Sequence, residues 1–161
     1  MTASIYWLTG VIGSGKSTLG AALAAYLPKT HFIDGDFFIA EAEDLPFAER
    51  VALIKERLLD KCCEAAAKGQ SLVIAYPIWK ETVDDLRKRL KDTNASLVVI
   101  GIETPPQSSI RNYTAGQLQR KKEMIDCNGT GYADIMTQHP TRYLHDSLKL
   151  LIDKIKTFVQ P

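Results

Sequence analysis

Short apolar runs alternate along this chain with longer amphipathic stretches. Runs of strand length predict four buried β-strands, at residues 5–8, 31–33, 71–76 and 96–102. The last of them is apolar on both faces, which is typical of a strand in the centre of a parallel sheet. A short fifth strand is expected at residues 142–144.

The stretches between these runs repeat their apolar residues at helical spacing. They predict helices at residues 17–27, 47–68, 80–91, 107–124 and 148–158. Pro46 suits the start of the second helix and Gly69 suits the position just after its end. The apolar side of the last helix is expected to carry Leu148, Leu151, Ile152, Ile155 and Val159.

Strands that alternate with helices indicate an α/β fold in which helices cover both faces of a parallel sheet. The architecture predicted is therefore a three-layer α/β/α sandwich. The sequence has no internal repeat, low-complexity segment or linker, so one domain over residues 1–161 is expected.

The segment between the first strand and the first helix carries a phosphate-binding motif. Gly10-Val11-Ile12-Gly13-Ser14-Gly15-Lys16-Ser17 fits the pattern G-x-x-x-x-G-K-[ST] in full. The glycines allow backbone N–H groups to surround phosphates, and Lys16 supplies a positive charge to the β- and γ-phosphates. The Ser17 hydroxyl is a hard oxygen ligand that suits Mg²⁺. The positive N-terminal end of the following helix also attracts the phosphates. The residues expected to bind the nucleotide are Gly10, Gly13, Ser14, Gly15, Lys16, Ser17 and Thr18.

Two carboxylates follow the second predicted strand. In a parallel sheet, ligands bind beyond the carboxyl ends of the strands, where Asp34 and Asp36 lie. If this segment is extended, residues two apart point to the same side, and Gly35 between them leaves space. We expect Asp34 to help hold Mg²⁺ and Asp36 to orient or deprotonate a substrate hydroxyl.

Phosphoryl transfer also needs positive charge on the group that moves. Arg111 and Arg120, with the neighbouring Lys121 and Lys122, are candidates for this role in a mobile lid over about residues 111–132. Lys80 is a further candidate, because it is the cation nearest the end of the third strand.

Composition excludes several other classes of protein. Hydrophobic residues make up 45% and charged residues 24% of the chain, so a disordered protein is not expected. The net charge of +1 gives no sign of a nucleic-acid-binding surface.

No apolar run reaches the roughly 20 residues that a membrane span requires. The three cysteines lack the spacing of a zinc or dithiol site. A cytoplasmic protein, monomeric or homodimeric, is expected.

Together these features resemble the small P-loop kinases of metabolites, including gluconate kinase, shikimate kinase and adenylylsulfate kinase. The phosphate loop and Asp34-Gly35-Asp36 carry the resemblance, and residues 75–80 are loosely similar to the end of the third strand in gluconate kinases. The resemblance implies a five-stranded parallel sheet in the order 2-3-1-4-5 and a lid over ATP. It also implies transfer of the γ-phosphoryl group to a small molecule, with ATP and Mg²⁺ as cofactors.

The phosphoryl acceptor is not determined by the sequence, because the chain departs from the substrate motifs of each named family. Phe37-Phe38 stands where gluconate kinases carry a histidine-proline motif, and Tyr76-Pro77-Ile78 replaces the triple glycine of shikimate kinases. Four aromatic residues are candidates for the acceptor pocket: Phe37, Phe38, Tyr76 and Trp79. A nucleoside or nucleotide kinase and a non-catalytic nucleotide-binding module remain alternatives. A GTPase-like switch is disfavoured, because the guanine motif [NT]-K-x-D is absent.

Overall fold

Five parallel strands form the centre of the molecule. The structure is a computed structural model that describes residues 2–11, 13–103 and 132–159. The strands are β1 (Ser4–Thr9), β2 (Thr30–Asp34), β3 (Ser71–Ala75), β4 (Ser96–Ile102) and β5 (Ile135–Thr137). They lie in the order β2-β3-β1-β4-β5, which confirms the predicted α/β fold and its strand order.

Helices cover both faces of this sheet. They are α1 (Lys16–Tyr26), α2 (Phe47–Ala67), α3 (Lys80–Leu90) and α4 (Leu144–Val159), and a 3₁₀ helix spans Gly35–Ala42. In β1, Ile5 and Trp7 point to the face that α2 and α3 cover, while Leu8 points to the face that α1 and α4 cover. Because alternate residues of a strand face opposite sides, the central strands need apolar residues at nearly every position.

Two hydrophobic clusters form the core, one on each face of the sheet. Ile54 and Leu58 of α2 pack with Leu86 of α3 in one cluster. Leu19 of α1 packs with Leu151 of α4 in the other. All five side chains are fully buried. The sheet is therefore held rigidly between the two helical layers, and the loops at its carboxyl edge have a fixed base.

The prediction for the fifth strand is wrong. Residues 142–144 lie in a loop and at the start of α4, whereas β5 is formed by Ile135–Thr137. The strand has only three residues, too few for a clear apolar pattern in the sequence. It is anchored by Asp134, whose N–H donates to Val99 O at 2.8 Å and whose Oδ2 accepts from Val99 N at 2.8 Å.

The last helix also differs from its prediction. α4 begins at Leu144, four residues before the expected start at 148. Val159 is 55% exposed and does not belong to the buried face. The helix predicted at 107–124 and most of the lid expected over 111–132 lie outside the described residues.

Candidate active site

The loop that joins β1 to α1 has the backbone shape its glycines permit. Gly13 and Gly15 have φ values of 77° and 91°, a left-handed conformation that side chains disfavour. A Cβ on Gly10 would lie 2.6 Å from Ser14 Oγ, so this position has no room for a side chain. No side chain of the described residues caps α1, and the positive end of this helix faces the loop.

Lys16 lies in the first turn of α1 beside the phosphate loop. Its Nζ donates a hydrogen bond to the carbonyl oxygen of Val11 at 3.3 Å. Burial lowers the pKa of Lys16, because the ammonium ion loses water, while the carboxylates of Asp36 and Asp34 act in the opposite direction. The structure thus brings the predicted lysine and the predicted carboxylates close together.

Asp34 is the last residue of β2 and connects the phosphate loop to the segment that follows. Its Oδ2 accepts a hydrogen bond from the Ser17 hydroxyl, and its Oδ1 accepts from Asp36 N at 2.9 Å. The second bond caps the 3₁₀ helix. The expectation of an extended segment here is therefore wrong, because Asp36 lies in the first turn of a helix. Both carboxylates nevertheless line one cavity.

Two negative charges so close together affect the titration of Asp36. Partial burial raises the pKa of Asp36, and the charge of Asp34 raises it further, while Lys16 lowers it. A carboxylate whose pKa is raised is a better proton acceptor than an ordinary aspartate. Its environment suits the role of a general base.

The cavity has a volume of about 400 Å³, and both polar and apolar residues line it. Gly13, Lys16 and Ser17 of the phosphate loop line it together with the two aspartates. Its apolar side chains come mainly from the 3₁₀ helix and α2: Ile39, Phe47, Val51, Ile54 and Trp79. Its size fits a small molecule placed against the phosphate loop.

Arg50 also lines this cavity and is not among the site residues that the sequence predicts. Its Nη2 donates to the carbonyl oxygens of Glu43 at 3.3 Å and Leu45 at 3.4 Å. Its Nε is buried, and no described residue accepts a hydrogen bond from it. The sequence did contain a signal, since Arg50 is four residues before the buried Ile54 and so shares the inward face of α2.

Tyr76 forms one wall of the cavity at the end of β3. Its ring covers Gly35 so closely that a Cβ on this glycine would be 2.5 Å from two ring carbons. Trp7 Nε1 donates a hydrogen bond of 2.7 Å to the carbonyl oxygen of Tyr76. Burial raises the pKa of Tyr76 to about 12, and the nearby Asp36 charge acts in the same direction. The phenol is therefore a neutral hydrogen-bonding group at physiological pH.

Of the other aromatic and basic residues predicted for the site, some line the cavity and others do not. Trp79 lines the cavity with Tyr76, but Phe37 is 66% exposed, and Phe38 packs against the core. Lys80 is exposed, forms an ion pair with Asp84 at 2.8 Å and does not line the cavity. Arg111, Arg120, Lys121 and Lys122 lie outside the described residues.

The oxygen donors near the phosphate loop fit Mg²⁺ better than a transition metal. Ser17 Oγ and Asp34 Oδ2 are adjacent hard oxygen ligands. Among the described residues, no group of three or more His, Cys, Asp or Glu side chains could enclose a metal by itself. Mg²⁺ typically takes only one or two protein ligands, with water and phosphate oxygens completing its shell.

Among the residues that the structure describes, no helix has the length and apolar character needed to cross a membrane.

Comparison with solved structures identifies neighbours of this fold. The APS kinase of Mycobacterium tuberculosis, solved with AMPPNP and APS, has a TM-score of 0.71 and 23% identity over 96% of this chain and 98% of its own. A gluconokinase from Sinorhizobium meliloti has a TM-score of 0.63 and 19% identity, covering 97% and 93% of the two chains. A shikimate kinase from Aquifex aeolicus has a TM-score of 0.67 and 15% identity, covering 94% and 96%.

Sequence comparison adds no closer relationship, since no protein-family model and no curated protein sequence matches the chain. The structural neighbours agree with the resemblance that the phosphate loop and the Asp34-Gly35-Asp36 segment predicted. The chain therefore has the fold of the small P-loop kinases of metabolites.

Proposed function

We propose that this protein is an ATP-dependent kinase that transfers the γ-phosphoryl group to a hydroxyl of a small metabolite. One observation carries the proposal: the same cavity is lined by Lys16 and Ser17 of the phosphate loop and by Asp36. A phosphoryl donor and a hydroxyl acceptor can thus occupy the same space. The fold neighbours, which are kinases of small molecules, support this function.

The phosphate loop binds the triphosphate. Gly10, Gly13, Ser14, Gly15 and Thr18 contact the phosphates through the backbone. Lys16 neutralises charge on the β- and γ-phosphates. Ser17 and Asp34 would hold Mg²⁺, directly or through water. Bound there, the ion supplies charge neutralisation to the β- and γ-phosphate oxygens.

Asp36 orients the hydroxyl of the acceptor and accepts its proton. The new bond joins the hydroxyl oxygen to the γ-phosphorus, the bond from this phosphorus to the β–γ bridging oxygen breaks, and ADP leaves. The raised pKa of Asp36 assists proton uptake. Arg111 or Arg120 is proposed to neutralise the charge on the group in transfer.

The acceptor that best fits this pocket carries a negative charge beside its hydroxyl. Arg50 presents a buried, unpartnered Nε within the described part of the cavity wall. A buried guanidinium N–H without an acceptor is costly, and a carboxylate, sulfate or phosphate group of the substrate would satisfy it. Sugar acids, shikimate-like acids and nucleotides all meet this condition, so a nucleotide kinase remains the second candidate function.

An acceptor screen tests the proposal. ATP consumption in the presence of Mg²⁺ is measured with sugar acids, polyols, nucleosides, nucleotides and adenylylsulfate as acceptors. We expect an anionic hydroxyl compound to stimulate ADP formation well above the rate with ATP alone, while its neutral analogue does not. ATP binding without stimulation by any of these compounds would instead support a non-catalytic nucleotide-binding module.

A further inference from the structure

The loop that follows β5 touches the phosphate loop from outside the cavity. Nδ1 of His139 lies 2.8 Å from the carbonyl oxygen of Ser14, although 125 residues separate them in the chain. A carbonyl oxygen only accepts hydrogen bonds, so Nδ1 must carry a proton and donate it. The contact therefore defines which ring nitrogen of His139 is protonated.

The next residue continues the same contact. A Cβ on Gly15 would lie 2.6 Å from both Cγ and Cδ of Pro140, so the proline ring rests on the glycine backbone. Two consecutive residues of one loop thus meet two consecutive residues of the phosphate loop. Pro140 has no N–H of its own and brings no donor that would compete with His139.

Both ends of this outer loop are anchored. On one side, Glu103 N donates to Thr137 O at 3.0 Å, which fixes the end of β5. On the other side, Thr141 N donates at 3.0 Å to Oγ of Ser147, a buried residue in the first turn of α4. Because the loop is held at both ends, the imidazole of His139 has a defined position against Ser14.

The geometry of the peptide bond gives this contact a consequence for phosphate binding. In a planar trans peptide, the carbonyl of Ser14 and the N–H of Gly15 point in opposite directions. A hydrogen bond that fixes the carbonyl therefore also fixes the direction of the N–H. Gly15 precedes α1, so its N–H lies outside the hydrogen-bond ladder of the helix, at the position where helix N-termini bind anions.

We propose that His139 is a positioning residue of the nucleotide site, which holds the Ser14–Gly15 peptide so that the Gly15 N–H is directed at a phosphate of the nucleotide. The bond to the carbonyl also polarises the peptide and makes this N–H a stronger donor. The proposal rests on the nucleotide site proposed above but is independent of the acceptor. His139 would thus contribute to nucleotide binding through its contact with Ser14, although it does not line the cavity.

Three substitutions of His139 separate this role from simple packing. His139→Ala removes the donor. His139→Asn places an amide N–H near the position of Nδ1, whereas His139→Gln carries its amide further out, near the position of Nε2. The exposed His145 of α4 provides the matched control, His145→Ala.

Binding is measured by calorimetry with two probes in the presence of Mg²⁺: ADP and inorganic tripolyphosphate. We expect His139→Ala and His139→Gln to weaken both probes by the same factor, roughly 3- to 10-fold, as the loss of one hydrogen bond predicts. His139→Asn and His145→Ala should bind both probes like the wild type. Thermal unfolding without ligand confirms that each variant is folded. If His139→Ala does not fold, His139→Gln alone tests the loss of the donor.

Three results would overturn the proposal. Unchanged binding of both probes by His139→Ala and His139→Gln would show that the contact does not orient the loop. Weaker binding of ADP alone, with tripolyphosphate unaffected, would place His139 against the base or ribose. Failure of His139→Asn to restore binding would show that the ring and not its Nδ1 donor matters. If the wild type binds neither probe, the proposed nucleotide site itself is wrong.

Discussion

The Ser17 hydroxyl donates a hydrogen bond to Oδ2 of Asp34, which joins the first turn of α1 to the end of β2. The two residues are 17 positions apart in the sequence. Ser17 lies in the helix that follows β1, and Asp34 ends β2, which is separated from β1 in the sheet by β3. The sequence predicts Mg²⁺ binding for each of them on separate grounds: for Ser17 from the phosphate motif, and for Asp34 from its position after a strand. Their contact supports a common site.

Replacement of Asp34 by asparagine should weaken Mg²⁺ binding without unfolding the site. Asparagine keeps a side-chain oxygen that can cap the 3₁₀ helix, but it loses the negative charge. We expect the Mg²⁺ concentration for half-maximal nucleotide binding to rise roughly 10- to 100-fold. A titration of Mg²⁺ at fixed ADP measures this, with the exposed Asp44→Asn as control. An unchanged Mg²⁺ requirement would remove Asp34 from the metal site.

Replacement of Asp36 by asparagine should make the protein without nucleotide or metal more stable at neutral pH. Burial and the charge of Asp34 raise the pKa of Asp36, which means that folding disfavours its ionised form. A neutral asparagine does not carry this cost. We expect a higher Tm for Asp36→Asn than for the wild type in EDTA. A lower Tm would mean that attraction to Lys16 outweighs the other two effects.

Replacement of Arg50 by glutamine should weaken acceptor binding and leave the nucleotide unaffected. The buried Nε would lose its anionic partner, and hydrogen bonds to a charged group are stronger than neutral ones. We expect KM for the acceptor to rise roughly 10- to 100-fold, with KM for ATP unchanged. The matched control is Arg57→Gln, since Arg57 is an exposed arginine of the same helix that pairs with Glu41. Equal effects of both variants would exclude a specific role for Arg50.

Replacement of Gly35 by alanine should destabilise the protein through Tyr76. The new Cβ would lie 2.5 Å from two carbons of the Tyr76 ring, and the Trp7 hydrogen bond restrains the backbone of this residue. We expect the free energy of unfolding to fall by about 1–3 kcal/mol, as is usual for overpacking. In the background of Tyr76→Ala, the same change should cost little. If the two substitutions are additive in denaturant unfolding, the ring contact is not the cause.

The predicted parts of the fold and site are those that local sequence specifies. The phosphate loop was predictable because its glycines, Lys16 and Ser17 act within eight consecutive residues. The central strands were predictable because burial on both faces leaves long apolar runs, as in Ser96–Ile102. These two features also led to the resemblance that implied the strand order.

The features of the fold and site that the sequence does not predict depend on contacts between distant parts of the chain. β5 has only three residues, and Asp134 fixes it through bonds to Val99. Arg50 becomes a site residue only when α2 turns it toward the phosphate loop, and His139 only when the loop after β5 reaches Ser14. Asp36 lines the cavity, but its N–H donates to the Asp34 side chain, and the segment is helical and not extended because of this capping bond.

The role of Asp36 in phosphoryl transfer is tested by the kinetics of Asp36→Asn with the acceptor that the screen identifies. We expect kcat to fall roughly 10²- to 10⁴-fold, as for the loss of a general base, while the Kd for ATP changes less than about twofold. Asp44→Asn should leave both values at wild-type levels. An unchanged kcat for Asp36→Asn would contradict the proposed function, because the carboxylate that shares a cavity with the phosphate loop would then have no part in phosphoryl transfer.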